Sequence, residues 1–288
     1  MNNLKIGDKT VKLGKKTIVM GILNVTPDSF ADGGIYNSVN KAVEHAILME
    51  KNGADIIDVG GESTRPGAKS ISIDEELKRV IPVIEQLLGK ISIPLSIDTY
   101  KSDIAKRALD LGVGMINDIT ALQGDKKLVN IIAEYDVPVF LMHMKGNPQD
   151  MQINPVYDDV VKEIHDFFKE RTKYAILHDV KKENIIIDPG LGFGKRTGKG
   201  VEDNCEILKR LSEFKDLGFP IMIGASRKTF IGNVCGNDKT LPVSKRLEGS
   251  LAAACIAVIN GADIVRVHDV KETRRCVDFI DCVIRKKF

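Results

Sequence analysis

Along this chain, short apolar runs rich in Val and Ile alternate with longer stretches in which apolar residues return every three or four positions. The runs occupy residues 18–24, 55–60, 94–98, 115–119, 138–143, 184–188, 220–224 and 263–268. The helical periods cover 39–51, 75–88, 103–111, 126–135, 156–178, 202–214, 244–260 and 270–285. A strand-like run followed by a 3.6-residue period is the mark of a βα unit. Eight such units within about 250 residues predict an α/β fold, a closed (β/α)8 TIM barrel, in preference to an open doubly wound sheet. Gly53, Gly89, Gly112, Gly218 and Gly261 close helical periods, as left-handed stops before the next strand. Residues 5–16 alternate around Gly-Asp and Gly-Lys turns, which predicts a short β-hairpin ahead of the barrel, plugging its N-terminal mouth. The division expected is therefore a hairpin extension over 1–17 and one barrel domain over 18–288, with no linker between further domains.

Composition narrows the class. The chain has 288 residues, 43% of them hydrophobic, which is ample to bury a core. Its 42 Lys and Arg against 40 Asp and Glu leave a net charge of +2, scattered evenly, which argues against a nucleic-acid partner. The basic Arg285-Lys286-Lys287 falls in the last turn of a helical period, where it complements the helix dipole. Five cysteines, an odd number without a CxxC spacing, predict reduced and mostly packed thiols instead of disulfides or a zinc knuckle. No leader pattern opens the chain, and the longest apolar run, 251–259, is too short to span a bilayer. A cytoplasmic protein with no membrane partner is expected. The glycine-rich run from Gly190 to Lys195 lacks the third glycine of GxGxxG, and no window satisfies GxxxxGK[ST], so neither nucleotide motif is present.

A barrel carries its chemistry at the C-terminal ends of its strands. There the sequence places Asn24, Glu62 with Ser63, Thr64, Arg65 and Pro66, then Asp98, Asn117 with Asp118, Met142 with His143, Asp188, Ser226 with Arg227 and Lys228, and Arg266 with His268. Taken singly, an Asp or Asn after a strand is often a helix cap and an Arg a surface charge. Eight successive polar strand ends suggest a site. Carboxylates and amides converging in an apolar pocket suit a flat heterocycle with an amidine-like donor edge, because a carboxylate accepts two parallel N–H bonds. Arg266 and His268, two apart on a strand, share a face suited to an anionic leaving group. Ser226 reads as the N-cap of a helix starting near Arg227, a second anion site.

The segments Met20–Phe30, Asp58–Gly67, Asp188–Lys195 and Gly224–Lys228 closely resemble the dihydropteroate synthase family, in register from Gly21 to about Thr273. The resemblance implies a (β/α)8 enzyme of tetrahydrofolate biosynthesis, the target of sulfonamides. Such an enzyme joins a dihydropterin carrying a methyl diphosphate to p-aminobenzoate and releases diphosphate with Mg2+ assistance. Carried over by position, the pterin pocket falls on Asp98, Asn117, Asp188 and Lys228, with Met142, Gly192 and Phe193 as walls. Asn24 matches the metal-linked residue, and Arg266, Val267 and His268 match the diphosphate segment. Thr64, Arg65 and Pro66 lie on the second loop and Asp28, Ser29 and Phe30 on the first, both mobile lids in the family. Asp28 and Phe30 join Asp98, Asp188, Lys228, Arg266 and His268 as the residues implied at the reacting groups. Ser226 would receive the aminobenzoate carboxylate. A homodimer through the last helices is also implied, with 251–259 and 277–284 as apolar faces.

Two places depart from the family pattern. Ala31 stands where Ser is more usual, and the loop over 195–200 is longer, which reads as a solvated basic turn. His143, flanked by Met142 and Met144, reads as a satisfied histidine rather than a zinc ligand. Three other functions remain as alternatives. Lys228 would serve a Schiff-base aldolase, a similar barrel serves pterin-binding methyltransferases, and a catalytically dead homologue would keep the fold alone.

Overall fold

The computed structural model describes residues 3–7, 9–26, 34–65, 67–198, 201–236 and 239–285. Two short antiparallel strands, β1 (Asn3–Ile6) and β2 (Lys9–Lys12), form the expected hairpin, paired from Asn3–Lys12 to Ile6–Lys9. The barrel strands follow as β3 (Ile18–Asn24), β4 (Ile56–Gly60), β5 (Leu95–Asp98), β6 (Met115–Asp118), β7 (Val139–Met142) and β8 (Ile185–Asp188). A minor pair, β9 (Thr197–Gly198) with β10 (Val201–Glu202), precedes the last two barrel strands, β11 (Met222–Ile223) and β12 (Ile264–Val267). All seven barrel pairings are parallel, in the order β11-β12-β3-β4-β5-β6-β7-β8. The ring closes between β8 and β11 through the parallel bridge Ile187–Ile221 and the bond from the Ile187 N–H to the Pro220 carbonyl, 3.0 Å. β11 is two residues long, so closure rests on the backbone just before it.

The helices are α1 (Gly34–Lys51), α2 (Ile73–Leu87), α3 (Ser102–Leu111), α4 (Leu128–Tyr135), α5 (Val160–Leu177), α6 (Asp203–Lys209), α7 (Thr229–Cys235), α8 (Leu247–Ile259) and α9 (Val270–Arg285). Capping fixes several starts. Ser72 accepts from the Glu75 N–H before α2, and Asp159 accepts from Val161 and Lys162, which moves the start of α5 from the expected 156 to Val160. The helical period over 202–214 breaks after Lys209 into a 3-10 turn, Leu211–Leu217. α7 was not legible as a separate helix. Gly112, Gly218 and Gly261 stop helices in the left-handed region as expected, whereas α2 ends on a right-handed Leu88 and Gly89 has no such role.

The period-two alternation of the strands sorts the core into two layers. Outward residues such as Val19, Ile57, Ile97, Ile116, Leu141, Ile187 and Val265 pack under the helices. Inward residues Met20, Ile56, Met115, Phe140, Ile186, Met222 and Ile264 form a second cluster with Leu4, Ile6 and Leu13 of the hairpin segment. The hairpin thus fills the N-terminal mouth, and Ile6 packs so closely on Gly114 that a Cβ there would stand 2.5 Å from its Cγ2.

The five cysteines are free, but none is buried: Cys205 and Cys235 are exposed and the other three half-buried. The expectation of mostly packed thiols holds only in part, since Cys255 meets Cys276 between α8 and α9 whereas no thiol enters the core. Arg285 pairs with Asp281 and donates to the Ala262 carbonyl, while Lys286 and Lys287 lie outside the described residues.

Candidate active site

Two residues beyond the inward apolar layer, the same strands carry Asp58, Asn117, Met142, Asp188, Gly224 and Arg266. Period two keeps these positions on the inner face. The apolar floor therefore gives way, one layer up, to a ring of polar groups at the C-terminal mouth.

Arg266 is the hub of that ring. Its Nε donates to Asp58 Oδ2 at 2.7 Å and a terminal nitrogen donates to Asp98 Oδ2 at 2.6 Å. Asn117 Nδ2 donates to the same Asp58 oxygen at 2.9 Å. Asp58 is fully buried, and its second oxygen has no hydrogen-bond partner among the described residues. Sequence reasoning quoted Asp58 within a motif but gave it no role. Its inward spacing from Ile56 was the available signal. The Arg266 guanidinium, expected to face an anionic leaving group, is shared between two carboxylates.

Burial drives the electrostatics. It lifts the Asp98 carboxyl to about 7, opposed by Arg266 and reinforced by the Asp58 charge. Burial also raises Asp188, against the pull of Lys228. Lys228 is lowered to about 8, chiefly by burial and then by Arg266, with Asp188 and Asp98 opposing. Asp188 Oδ1 accepts from the Gly190 N–H at 2.8 Å. The Lys228 ammonium donates to the Leu191 carbonyl and lies 4.3 Å from the centre of the Phe193 ring. A Cβ on Gly192, at φ +81°, would stand 3.1 Å from Lys228 Cδ, so the glycine admits this lysine. Met142 is buried beside Gly190. Asp98, Asn117, Asp188, Lys228, Met142, Gly192 and Phe193 thus gather at one mouth.

Other expected residues sit differently. Ser226 is not a helix cap. α7 starts at Thr229 with Lys228 at the cap position, and the Ser226 hydroxyl accepts from the His268 N–H at 3.2 Å and lies 3.1 Å from its Nδ1. Arg227, at φ +58°, turns the chain between them and pairs with Asp269. His268 is pushed down to about 4 by burial, then by Arg266 and Arg227, so it is a neutral imidazole at pH 7. The Val267 side chain belongs to the outer layer under the helices, which leaves only its backbone to face the mouth. Thr64 is half-buried and Arg65 exposed, and Asn24 is half-buried at the end of β3. Asp28, Ser29, Phe30, Ala31 and Pro66 lie outside the described residues.

In the loop after β8 the expected solvated turn holds at the exposed Thr197 and Gly198, fails at Lys195, and has Lys199 and Gly200 outside the described residues. Lys195 is 1% exposed and buried among backbone carbonyls, not solvated. Arg196 pairs with Asp203. The Lys101 ammonium, bound to Glu62 at 2.6 Å and Glu76 at 2.7 Å, ties the base of the second loop to α2. Nothing in the residue pattern distinguished these lysines from surface charges.

The model of the pterin binding enzyme family matches residues 20–268 of this chain. The dihydropteroate synthase of Escherichia coli K12 is 46% identical over 269 residues, 93% of this chain and 92% of that protein. Dihydropteroate synthase of Xanthomonas albilineans, solved with 4-aminobenzoic acid, matches with a TM-score of 0.91 at 42% identity, covering 99% of each chain. A structure of the Xanthomonas albilineans enzyme in complex with 7,8-dihydropteroate matches at 0.87 and 38% identity, covering 99% of this chain and 100% of the other.

Proposed function

From the premise that this chain belongs to the dihydropteroate synthase family, we propose that the polar ring of its barrel mouth seats the pterin and that the β12 end takes the diphosphate. The enzyme is a transferase of folate biosynthesis. It condenses (7,8-dihydropterin-6-yl)methyl diphosphate with p-aminobenzoate to 7,8-dihydropteroate and diphosphate, and is of the kind that sulfonamides target. The observation that carries the assignment of residues is the placement of Asp98, Asn117 and Asp188 at the inner strand ends above an apolar floor, with Lys228 brought beside Asp188 and the Phe193 ring from the cap of α7.

The chemistry follows from charge. The methylene–oxygen bond breaks with its electron pair leaving on diphosphate, and the pterin methylene becomes a benzylic-type cation. The aniline nitrogen of p-aminobenzoate attacks with its lone pair and then loses a proton to solvent. No general base is needed, because the arylamine is already neutral. Asp98 and Asp188 accept from the donor edge of the pterin and stabilise the cation, Asn117 completes the edge, and Met142, Gly192 and Phe193 wall the ring. Lys228, bracketed by Leu191 and Phe193, donates to the ring's acceptor edge. His268, neutral and steered by Ser226, donates toward the diphosphate alongside Arg266, whose charge reaches it across the Asp58 and Asp98 pairs. Ser226, Thr64 and Arg65 are assigned to p-aminobenzoate, and Asp28, Phe30 and Pro66 to the loops that keep water from the cation.

Among the described residues no group of three His, Cys, Asp or Glu side chains could hold a metal. Asn24 offers one oxygen at the open end of β3. This single protein donor fits a Mg2+ that would arrive with the diphosphate, with Asn24 the residue that would hold it. When bound, the ion would neutralise charge developing on the departing diphosphate.

No helix of the described residues is long and apolar enough to cross a membrane. Five free cysteines support a reducing, cytoplasmic setting. A homodimer through α8 and α9 is supported by the exposure of Ile256, Ile259, Phe279, Val283 and Ile284, with Phe279 70% exposed. Sedimentation at micromolar protein should give twice the 31.7 kDa chain mass, and a monomer would remove that part. The reaction itself is tested by supplying both substrates with Mg2+ and measuring diphosphate. Folded protein that releases none would overturn the reading.

A further inference from the structure

The Lys195 amine is fully buried, which pushes it well below the usual lysine range, and no carboxylate of the described residues lies in hydrogen-bond reach. Its Nζ meets the Gly190 carbonyl at 2.9 Å, the Phe193 carbonyl at 2.9 Å and His143 Nδ1 at 3.0 Å. The His143 carbonyl lies further off at 3.4 Å, so every close neighbour of this nitrogen is a backbone carbonyl or the imidazole. Such a group is costly to bury unless all its donors are used, so its place in the loop calls for a reason. Those acceptors belong to the turn between Asp188 and Lys195 and to the chain just past β7, and the lysine doubles back to peg its own loop against its neighbour.

The turn it pegs has little freedom. Gly190 and Gly194, at φ +69° and +59°, pack so tightly that a Cβ would stand 2.0 Å from the His143 carbonyl oxygen and 2.2 Å from that of Lys145. The Gly190 carbonyl also accepts from the Phe193 N–H at 3.1 Å, and Gly194 accepts from the Tyr157 hydroxyl at 2.6 Å. This turn carries the Phe193 ring and the Leu191 carbonyl, the two groups that hold the Lys228 ammonium. His143 is kept neutral by burial and by the neighbouring Lys195, and its ring packs edge-on against Phe167 at 4.8 Å. A neutral ring that accepts at Nδ1 carries its proton on Nε2.

We propose that Lys195 is a positioning residue for the pterin site, its Nζ setting the 190–194 turn so that Phe193 and Leu191 together place Lys228. The inference rests on the proposed seating of the pterin. It separates the two substrates, because the groups it places wall the pterin, whereas p-aminobenzoate is assigned to Ser226, Thr64 and Arg65.

The test is Lys195→Met, which keeps the stem and removes the donors. The KM for the pterin diphosphate should rise at least tenfold and that for p-aminobenzoate stay within twofold. The Kd of 6-hydroxymethylpterin, by calorimetry, should weaken in step. The combined Lys195→Met and Phe193→Ala protein should lose less affinity than the product of the single losses, since the lysine acts through that ring. A folded Lys195→Met protein with both KM values unchanged would overturn the proposal, as would a full multiplication of the two losses. If Lys195→Met does not fold, His143→Leu removes one acceptor and should raise the pterin KM in the same selective way, with an unselective or absent effect counting against it. Native protein that binds no 6-hydroxymethylpterin would refute the underlying site assignment instead, a result distinct from either.

Discussion

Replacing Arg266 by Met isolates the charge that makes the mouth possible. The guanidinium stands 2.7 Å from Asp58 and 2.6 Å from Asp98, with side-chain exposures of 19% for Arg266, 0% for Asp58 and 10% for Asp98. Removing one partner of a buried pair leaves charge without compensation, at about 3–5 kcal/mol, and Asp58 would retain only Asn117. Urea unfolding at pH 7.5 should show that loss, with a midpoint lower by roughly 1 M or more. The pH dependence carries a sign. Asp98 already titrates near 7 when folded, with Arg266 holding it down, against about 3.9 unfolded. Without Arg266 its folded value rises further, so the folded variant keeps a proton that the unfolded chain gives up, and stability falls as pH rises through the widened window. The deficit relative to the native enzyme should therefore grow from pH 6 to pH 9. Adding Asp58→Asn should recover part of it, because the unpaired charge is then gone. A loss under about 1 kcal/mol, or a deficit independent of pH, would refute Arg266 as the compensating charge.

Three further outcomes are expected. Turnover per pterin diphosphate, kcat/KM, should rise with pH as Asp98 ionises near 7 and fall as Lys228 deprotonates near 8, giving a narrow maximum between them. Lys228→Ala should lose most activity and the alkaline limb with it, whereas normal turnover would remove Lys228 from the site. Stripping Mg2+ with EDTA should abolish turnover while 6-hydroxymethylpterin still binds in a calorimeter, because the ion is proposed to travel with the diphosphate; loss of that binding would place the metal in the pterin pocket.

Most of the barrel was legible because each strand is a short apolar run with an amphipathic period behind it, and the observed strands fall within the expected ranges. The polar strand ends Asn117, Asp188 and Arg266 were legible for the same reason, each two residues beyond an inward apolar side chain, whereas Asp58 at the same spacing was passed over. What a linear pattern does not carry is partnership. Arg266 meets Asp58 across 208 residues of chain and Asp98 across 168, so a cation that looked free for an anion is held by carboxylates. Lys195 looks like any basic turn residue, and only the folding of its loop back on Gly190 and His143 reveals a buried amine. Ser226 fits a cap in sequence, but the left-handed Arg227 delays the helix to Thr229 and gives the hydroxyl to His268. Motif resemblance supplied the roles that no periodicity could, including those of Asn24 and the first loop.

The central claim is that this mouth couples departure of diphosphate to capture of the arylamine. The most direct measurement supplies carbon-labelled p-aminobenzoate with dihydropterin methyl diphosphate and Mg2+, and follows diphosphate and labelled 7,8-dihydropteroate together. The account predicts equal amounts of each from the native enzyme, with neither formed when p-aminobenzoate is withheld. Diphosphate released without labelled product would contradict it, since the mouth would then be handing its cation to water.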